Sequence, residues 1–319
     1  MNQIKRAKTI ITTMLTFTVA LSLISLASLA GCSGVTGTKE IQLNPTVFSP
    51  AIGTEGVLRV GVDSSHAPYA GLDKEKNVVG IDVDVAAAIA EEMGLRLEIV
   101  DTVGQNSENL LLEGTIDMVM DVERAGGSIT RGMQVGPYIE TGPALFAVVK
   151  SNSIPEVELA SLAGTNVAAQ KDSLSLWSVE ELIGAGTAVP YDTLEEAFAA
   201  LERGEAMYAA ADAVKGAYLA LEYSDLASIK ILGSPIGVYI AVSPENSMLA
   251  EALTQALRNV RDNGVLRTIY SKWLGPVSAS VVLGGSAITL EQAVAVDPAE
   301  VPQEVLDNGE DLPDPESAG

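Results

Sequence analysis

The order of elements in residues 58–102 constrains the fold more than any other feature, because a buried strand, a polar loop and an amphipathic helix follow one another closely. Leu58-Arg59-Val60-Gly61-Val62 is a short apolar run suited to a strand. Asp63-Ser64-Ser65-His66-Ala67-Pro68-Tyr69 then leaves its C-terminal end with polar and aromatic groups. After Gly80, Asp82 fits the N-cap of a helix on which Val85, Ile89 and Met93 share one face, and Gly94 supplies the stop. Residues 95–100 start the next strand. In an open α/β sheet, ligands bind beyond the carboxyl ends of such strands.

The same alternation runs down the chain and predicts an α/β fold. Residues 106–113 read as a helix ending at Gly114, 116–120 as a strand and 143–149 as another, followed by a break at 151–155 that suits a lobe boundary. Strands at 166–169 and 206–211 flank a helix over 192–203, where Asp192 and Glu195 fit a capping box. Residues 237–242 give a further strand. Leu249, Leu253, Leu257 and Val260 trace one helix face up to Gly264, and a last helix closes at Gly275.

A chain of 319 residues suits two lobes with appendages. Its 19 basic and 42 acidic residues give a net charge of −23, which argues against binding nucleic acid or anionic lipid through a basic surface. Cys32 is the single cysteine and His66 the single histidine, so neither an internal disulfide nor a multi-cysteine or multi-histidine metal site is available, and no cofactor is expected.

Lys5, Arg6 and Lys8 precede a charge-free apolar run over residues 10–30, the layout of a secretory signal. Leu29-Ala30-Gly31-Cys32 resembles the lipobox of bacterial lipoproteins, in which the cysteine is acylated and becomes the first mature residue. Residues 1–31 are therefore expected as a lipoprotein signal peptide, with an uncleaved membrane anchor as the other reading. Residues 32–55 read as a flexible tether. Residues 276–319 lack Lys and Arg and are expected as an acidic, mostly disordered tail. The less polar stretch 280–296 leaves a docked strand or helix open.

Several motifs in one order resemble the family 3 extracellular solute-binding proteins, the polar amino-acid receptors of ABC importers. Gly61-Val62-Asp63, Pro68-Tyr69 and Gly80-Ile81-Asp82-Val83-Asp84 match a V-G-x-D strand end, an aromatic-Pro-aromatic loop and a G-[FI]-D-[VI]-D helix start. Tyr270-Ser271-Lys272-Trp273-Leu274-Gly275 matches the closing Y-x-K-W-x-G. The resemblance implies a two-lobed type II periplasmic-binding-protein-like fold with two hinge strands. Lobe 1 would comprise 56–148 and 241–275, and lobe 2 would comprise 149–240. It further implies an extracellular, lipid-anchored monomer, not an enzyme, that closes on an amino acid or similar zwitterion and presents it to an ABC permease.

A free amino acid carries a carboxylate and an ammonium, so its site needs a fixed cation and a fixed anion. By resemblance, Thr130 and Arg131, after Ile116-Asp117-Met118 and before Gln134-Val135 and Pro137-Tyr138, would grip the carboxylate. Arg131 has a second reading as a surface residue paired with Glu140, and Arg124 is the fallback. Asp212 would receive the ammonium, cap the helix that follows it, or do both. Gln170-Lys171-Asp172-Ser173 resembles a Q-x-G-[TS] turn that presents Ser173 and a helix start to the carboxylate, with Asp172 replacing the glycine. Asp63, His66 and Tyr69 would wall the pocket, Tyr69 equally being a core aromatic.

Two departures bear on the ligand. Val103-Gly104-Gln105 stands where the family has a stacking aromatic, and Asp121-Val122-Glu123-Arg124-Ala125-Gly126-Gly127-Ser128 replaces an S-G-M-T-type segment. Asp121 and Ser128 are counted among the ligand-binding residues; if Asp121 faces inward, a cationic ligand such as lysine, arginine or a polyamine is expected, and if it faces water nothing follows. The rival classes are a cyclohexadienyl-dehydratase-like enzyme using Asp121 or Glu123 as proton donor, and a sensor or scaffold with a degenerate pocket.

Overall fold

The computed structural model of the protein describes residues 43–123, 129–150, 154–284 and 288–292. The first half contains β1 (Val57–Val62), β2 (Gly71–Leu72), β3 (Val78–Val79), α1 (Ile81–Glu92), β4 (Arg96–Asp101), α2 (Ser107–Leu112), β5 (Met118–Glu123), β6 (Met133–Thr141) and β7 (Pro143–Val148). A 3-10 turn at Leu159–Leu162 leads to β8 (Val167–Gln170), α3 (Leu174–Leu182), β9 (Ala188–Tyr191), α4 (Leu194–Glu202), β10 (Tyr208–Asp212), α5 (Ala213–Ala220) and β11 (Leu226–Ile231). The chain ends on β12 (Ile236–Val242), α6 (Ser247–Asp262), α7 (Val265–Leu274), α8 (Pro276–Val282) and β13 (Thr289–Gln292).

Two sheets organise these elements. The first has the order β13-β6-β12-β5-β1-β4, and the second β11-β7-β10-β8-β9. β1 lies parallel between β4 and β5, and β8 lies parallel between β10 and β9. Each sheet therefore gathers parallel carboxyl ends at one edge, where βα loops carry polar side chains. Strands flanked on both sides need apolar residues on both faces, which is why β1 reads as a nearly continuous buried run with Val57, Leu58, Val60 and Val62 inside.

The chain passes from the first sheet to the second at Gly142 and returns over residues 232–235. The lobe boundaries expected at 148 and 241 thus move to 142 and 236, because β7 already pairs with β10 and β11 while Ile236 already pairs with Thr141. Gly142, at φ 122, supplies the backbone freedom for the switch. The Gly142 carbonyl accepts from Ala213 N–H at 2.8 Å, and Leu232 N–H donates to Pro143 O at 2.6 Å, so the two passages lie side by side.

Local capping differs from the sequence expectation in two places. α1 is preceded by Gly80 at the N-cap with no side-chain cap, and Asp82 lies buried within its first turn. A Cβ at Gly80 would overlap the Tyr69 carbonyl, so the loop can fold back onto this turn only over a glycine. At α4 the cap is Thr193, whose hydroxyl accepts from Glu196 N–H at 3.2 Å, while the Glu196 carboxylate accepts from Asp192 N–H at 3.2 Å. The expected box of Asp192 and Glu195 is therefore replaced by a Thr193 cap with Glu196 reaching back to the residue before it, while the Asp192 side chain pairs with Lys171 at 2.9 Å.

Both appendages are partly ordered against the body. Residues 43–55, expected as tether, bury Val47, Ala51 and Ile52 against lobe 1, and Thr46 N–H donates to Met93 O at 3.0 Å. Three apolar side chains in a polar stretch suffice to pin it. Within the expected tail, whose less polar stretch 280–296 left a docked strand or helix open, residues 276–282 form α8 and residues 289–292 form β13. Val277, Ala279 and Val282 are buried, and β13 pairs antiparallel with β6. Residues 1–42, which include the expected signal peptide and Cys32, and residues 293–319 lie outside the described residues.

Candidate functional site

The edge where the two sheets face each other collects acidic side chains from both lobes. Asp63 follows β1, and its Oδ1 accepts from the Ser65 hydroxyl at 2.6 Å and Ser65 N–H at 2.9 Å. Burial pushes its carboxyl up, but those two hydrogen bonds and nearby His66 outweigh it, leaving the pKa below the usual carboxylate range. His66 Nδ1 meets Asp121 Oδ2 at 3.1 Å, which requires the Nδ1–H tautomer or the protonated ring.

Asp121 sits inside β5 at φ 58, a left-handed conformation that a non-glycine residue holds only at a cost of about 1 kcal/mol or more. Its amide donates to the Tyr138 hydroxyl at 3.2 Å, and its side chain is 17% exposed. Burial raises the carboxyl pKa, with His66 and Lys215 pulling the other way. Glu123 is raised too, first by burial and then by Asp121.

Asp212 ends β10 and does two jobs at once. One oxygen caps α5, accepting from Val214 N–H at 3.0 Å and Lys215 N–H at 2.8 Å; the other accepts from the Thr141 hydroxyl at 2.6 Å. Thr141 is the last residue of β6 before the chain switches sheets, so this bond joins the lobes beside the crossover. Tyr69 lies under it, 5% exposed and hydrogen-bonded to Thr141. Burial raises its phenol well above the ordinary value, and the charges of Asp212 and Asp121 raise it further.

Beneath Asp121 lies a fully buried pair. The Tyr138 hydroxyl donates to Asp82 Oδ1 at 2.7 Å, while Asp82 Oδ2 has no hydrogen-bond partner among the described residues. Burial first, and then the Asp121 charge, push the Asp82 carboxyl well above its usual pKa. Folded protein therefore binds this proton more tightly than unfolded chain. The stabilisation is complete below the unfolded value, about 3.9, and declines as pH rises from there toward the folded pKa. Asp82→Asn mimics the protonated acid at every pH. Its melting temperature relative to wild type should rise between pH 4 and pH 8, and a pH-independent difference in calorimetric scans would refute a buried, proton-binding Asp82.

Of the residues singled out in the sequence, the structure brings Asp63, His66, Tyr69, Asp121 and Asp212 to this edge. It does not bring Thr130 and Arg131. Glu108 on α2 accepts from Thr130 N–H at 2.9 Å and Arg131 N–H at 2.6 Å, and the Arg131 guanidinium, 63% exposed, lies 3.8 Å from the same carboxylate. The reason is geometric. β6 runs nine residues from Met133 to Thr141, about 25 Å at strand rise, so Arg131 precedes the end of the strand remote from Asp212. Arg131 is therefore corrected from ligand-gripping cation to partner of Glu108, and its second reading named Glu140 where the structure has Glu108. Ser173 caps α3, accepting from Leu176 N–H at 3.1 Å, and Asp172 occupies the left-handed turn at φ 57 that a glycine would take. Ser128 and Arg124 lie outside the described residues.

Sequence reasoning missed Thr141 and Lys215. Both had a positional signal: Thr141 directly precedes the Gly142-Pro143 crossover, and Lys215 lies in the first turn after Asp212. A cavity of about 400 Å³ elsewhere, lined by Arg59, Leu111, Asp117, Asn246 and Met248, lies at the opposite edge of the first sheet. Its Arg59 and Asp117 charges are spent on each other.

Comparison with known proteins agrees with this layout. The sequence is similar to one named "Putative ABC transporter arginine-binding protein 2" from Escherichia coli (strain K12), 27% identical over 241 residues that cover 71% of this chain and 94% of the relative. The fold is similar to the unliganded, open L-cystine solute receptor of Neisseria gonorrhoeae, at TM-score 0.58 and 19% identity, covering 76% of this chain and 95% of that one. It is also similar to an ancestral cyclohexadienyl dehydratase, at TM-score 0.59 and 22% identity, covering 69% of this chain and 92% of that one. At such identities the two structures speak for the two-lobed fold alone. Residues 58–276 match the family model described as bacterial extracellular solute-binding proteins, family 3, whose members include amino-acid-binding proteins of ABC transporters, and this chain belongs to that family.

Proposed function

We propose that this protein is the substrate-binding lipoprotein of an ABC importer, held at the extracellular face of the cytoplasmic membrane through acylated Cys32, and that it closes on an amino acid with a cationic side chain. The observation that carries the reading is the convergence of carboxylates from both lobes, Asp63 and Asp121 from one and Asp212 from the other, on the facing edges of the two sheets. A zwitterion with an extra cation offers two positive groups, and a ligand that meets both lobes stabilises the closed form by its differential affinity for it. Relatives named for arginine binding support this charge preference. With Arg131 engaged by Glu108, Lys215 is the cation we assign to the ligand carboxylate. Its charge acts on Asp121 and Glu123 of the opposite lobe.

A thermal-shift series with L-arginine, L-lysine, putrescine, L-glutamine and L-glutamate tests this. A cationic amino acid at a hundred times its dissociation constant stabilises the fold by about 2.7 kcal/mol, and L-glutamate leaves it unchanged. A shift with L-glutamate alone, or with none of the series, overturns the proposal. Asp121 and Glu123, whose pKa values burial raises, are the groups a dehydratase-like reading would use as proton donor. Incubation with prephenate and with arogenate separates the two readings, and no turnover is expected.

A further inference from the structure

The segment after the family match ends carries a device of its own. Family resemblance stops at 276, yet the chain continues into α8, Pro276–Val282, and this helix leaves lobe 1 to pack on β11 and α5 of lobe 2. The contact is specific: Ser228 N–H in β11 donates to the Ser278 hydroxyl at 3.0 Å, with both residues buried. Val277, Ala279 and Val282 fill the apolar remainder. Just before it, the Trp273 ring on α7 meets the Tyr218 ring on α5 with centroids 6.5 Å apart and planes tilted by 43°, a second link between lobes.

α8 continues directly from α7 of lobe 1, and hydrogen bonds fasten its middle and its C-terminal end to lobe 1 as well. Arg267 on α7 donates to the Ser280 hydroxyl at 3.0 Å, Arg261 on α6 donates to Leu283 O at 3.0 Å, and Arg258 donates to Ile288 O at 3.1 Å. β13 then adds to the edge of the first sheet, Leu290 lying opposite Val135. α8 thus sits on lobe 2 between α7 and the lobe 1 contacts of Leu283, and Ile288 and β13 lie on lobe 1 again, making a third tie beside the two crossover strands. Two strands leave a hinge free to open. A helix seated on one lobe and anchored at both ends on the other resists that opening, because separating the lobes must either lift α8 off β11 or break the arginine bonds.

We propose that α8 is a strap that limits how far the lobes separate in the ligand-free protein. It draws its contacts from residues that form no part of the cleft, so its action is independent of ligand chemistry.

The test uses the full chain without ligand. Spin labels at Lys74→Cys and Glu180→Cys, one on each lobe in a Cys32→Ser background, report the interlobe distance distribution. Hydrogen exchange reports whether α8 stays seated. Ser278→Glu buries a charge in the seat, and Ser278→Ala removes only the hydroxyl, which keeps the test open should the first variant fail to fold. The expected result is amide exchange at Ser228 at least about tenfold faster, with a distance distribution shifted outward and broadened, more for Glu than for Ala. Faster exchange with unchanged interlobe distances shows a helix that unseats without restraining the lobes and overturns the proposal. Unchanged exchange and distances in both variants overturn it as well.

Discussion

Replacing Asp212 by Asn is expected to weaken amino-acid binding by about 30-fold or more while leaving thermal unfolding nearly unchanged. The choice of Asn separates the two roles that meet on this carboxylate. One oxygen caps α5 through Val214 and Lys215 N–H, and Asn caps a helix about as well as Asp. The Thr141 hydroxyl also keeps an acceptor or finds a donor in the amide. What disappears is the formal charge that would face a ligand ammonium. Losing one desolvated charged partner costs about 2–5 kcal/mol, the lower end of which is roughly 30-fold in affinity. Calorimetric titration with whichever amino acid gives the largest thermal shift reads this directly. Asp212→Ala, by contrast, should lower both affinity and melting temperature. An Asn variant that binds within threefold of wild type would mean that Asp212 is a helix cap and hinge bond with no ligand role.

The fold was largely legible because its signals are local and redundant. The apolar run of β1, the helix face of Val85 and Ile89 and the glycine stops each follow from periodicity, and the motif order agrees with them. The cleft-facing acids were legible for a related reason, since Asp63 and Asp212 each sit at a strand's carboxyl end. Arg131 was misplaced because a shortened loop preserves the residue order of a motif without preserving which end of β6 the arginine reaches. Only the register of Thr141 against Ile236 and Met133 against Val242 shows that distance. Asp82 was misread as a cap for a different reason: a carboxylate near a helix start has a common exposed role and a rarer buried one, and the Tyr138 hydroxyl that selects between them lies 56 residues away in sequence. The apolar character of the stretch that holds α8 and β13 left a docked strand or helix open, but where it docks depends on the surfaces of β11 and β6, which no local pattern in that stretch specifies.

The largest expected loss of stability lies at the opposite edge of the same sheet. Asp117 is 4% exposed in its side chain and accepts four hydrogen bonds: from Gly53 N–H at 2.9 Å, Arg59 N–H at 2.8 Å, Arg59 Nε at 3.1 Å and Arg59 Nη2 at 2.7 Å. It thereby ties the segment before β1 to the turn before β5. Arg59, in return, has its pKa raised, chiefly by its hydrogen bonds to Asp117. Asp117→Ala removes every one of those acceptors and leaves a guanidinium 14% exposed with the Thr115 carbonyl at 2.7 Å and the weaker pull of the Glu98 charge. Breaking a buried pair in this way costs about 3–5 kcal/mol, and the small exposure of Arg59 favours the lower part of that range. Replacing both partners, as in Arg59→Leu with Asp117→Leu, removes the stranded charge and should recover part of the loss, as it would not if the damage came from a cavity alone. Urea titration of the two variants measures the difference. Ligand affinity well below the unfolding transition should stay close to wild type, because Asp117 stands at the amino-terminal edge of β5 and Asp121 and Asp212 stand at the carboxyl edges of their strands. A wild-type midpoint for Asp117→Ala would show that this pair, despite its geometry, contributes nothing net.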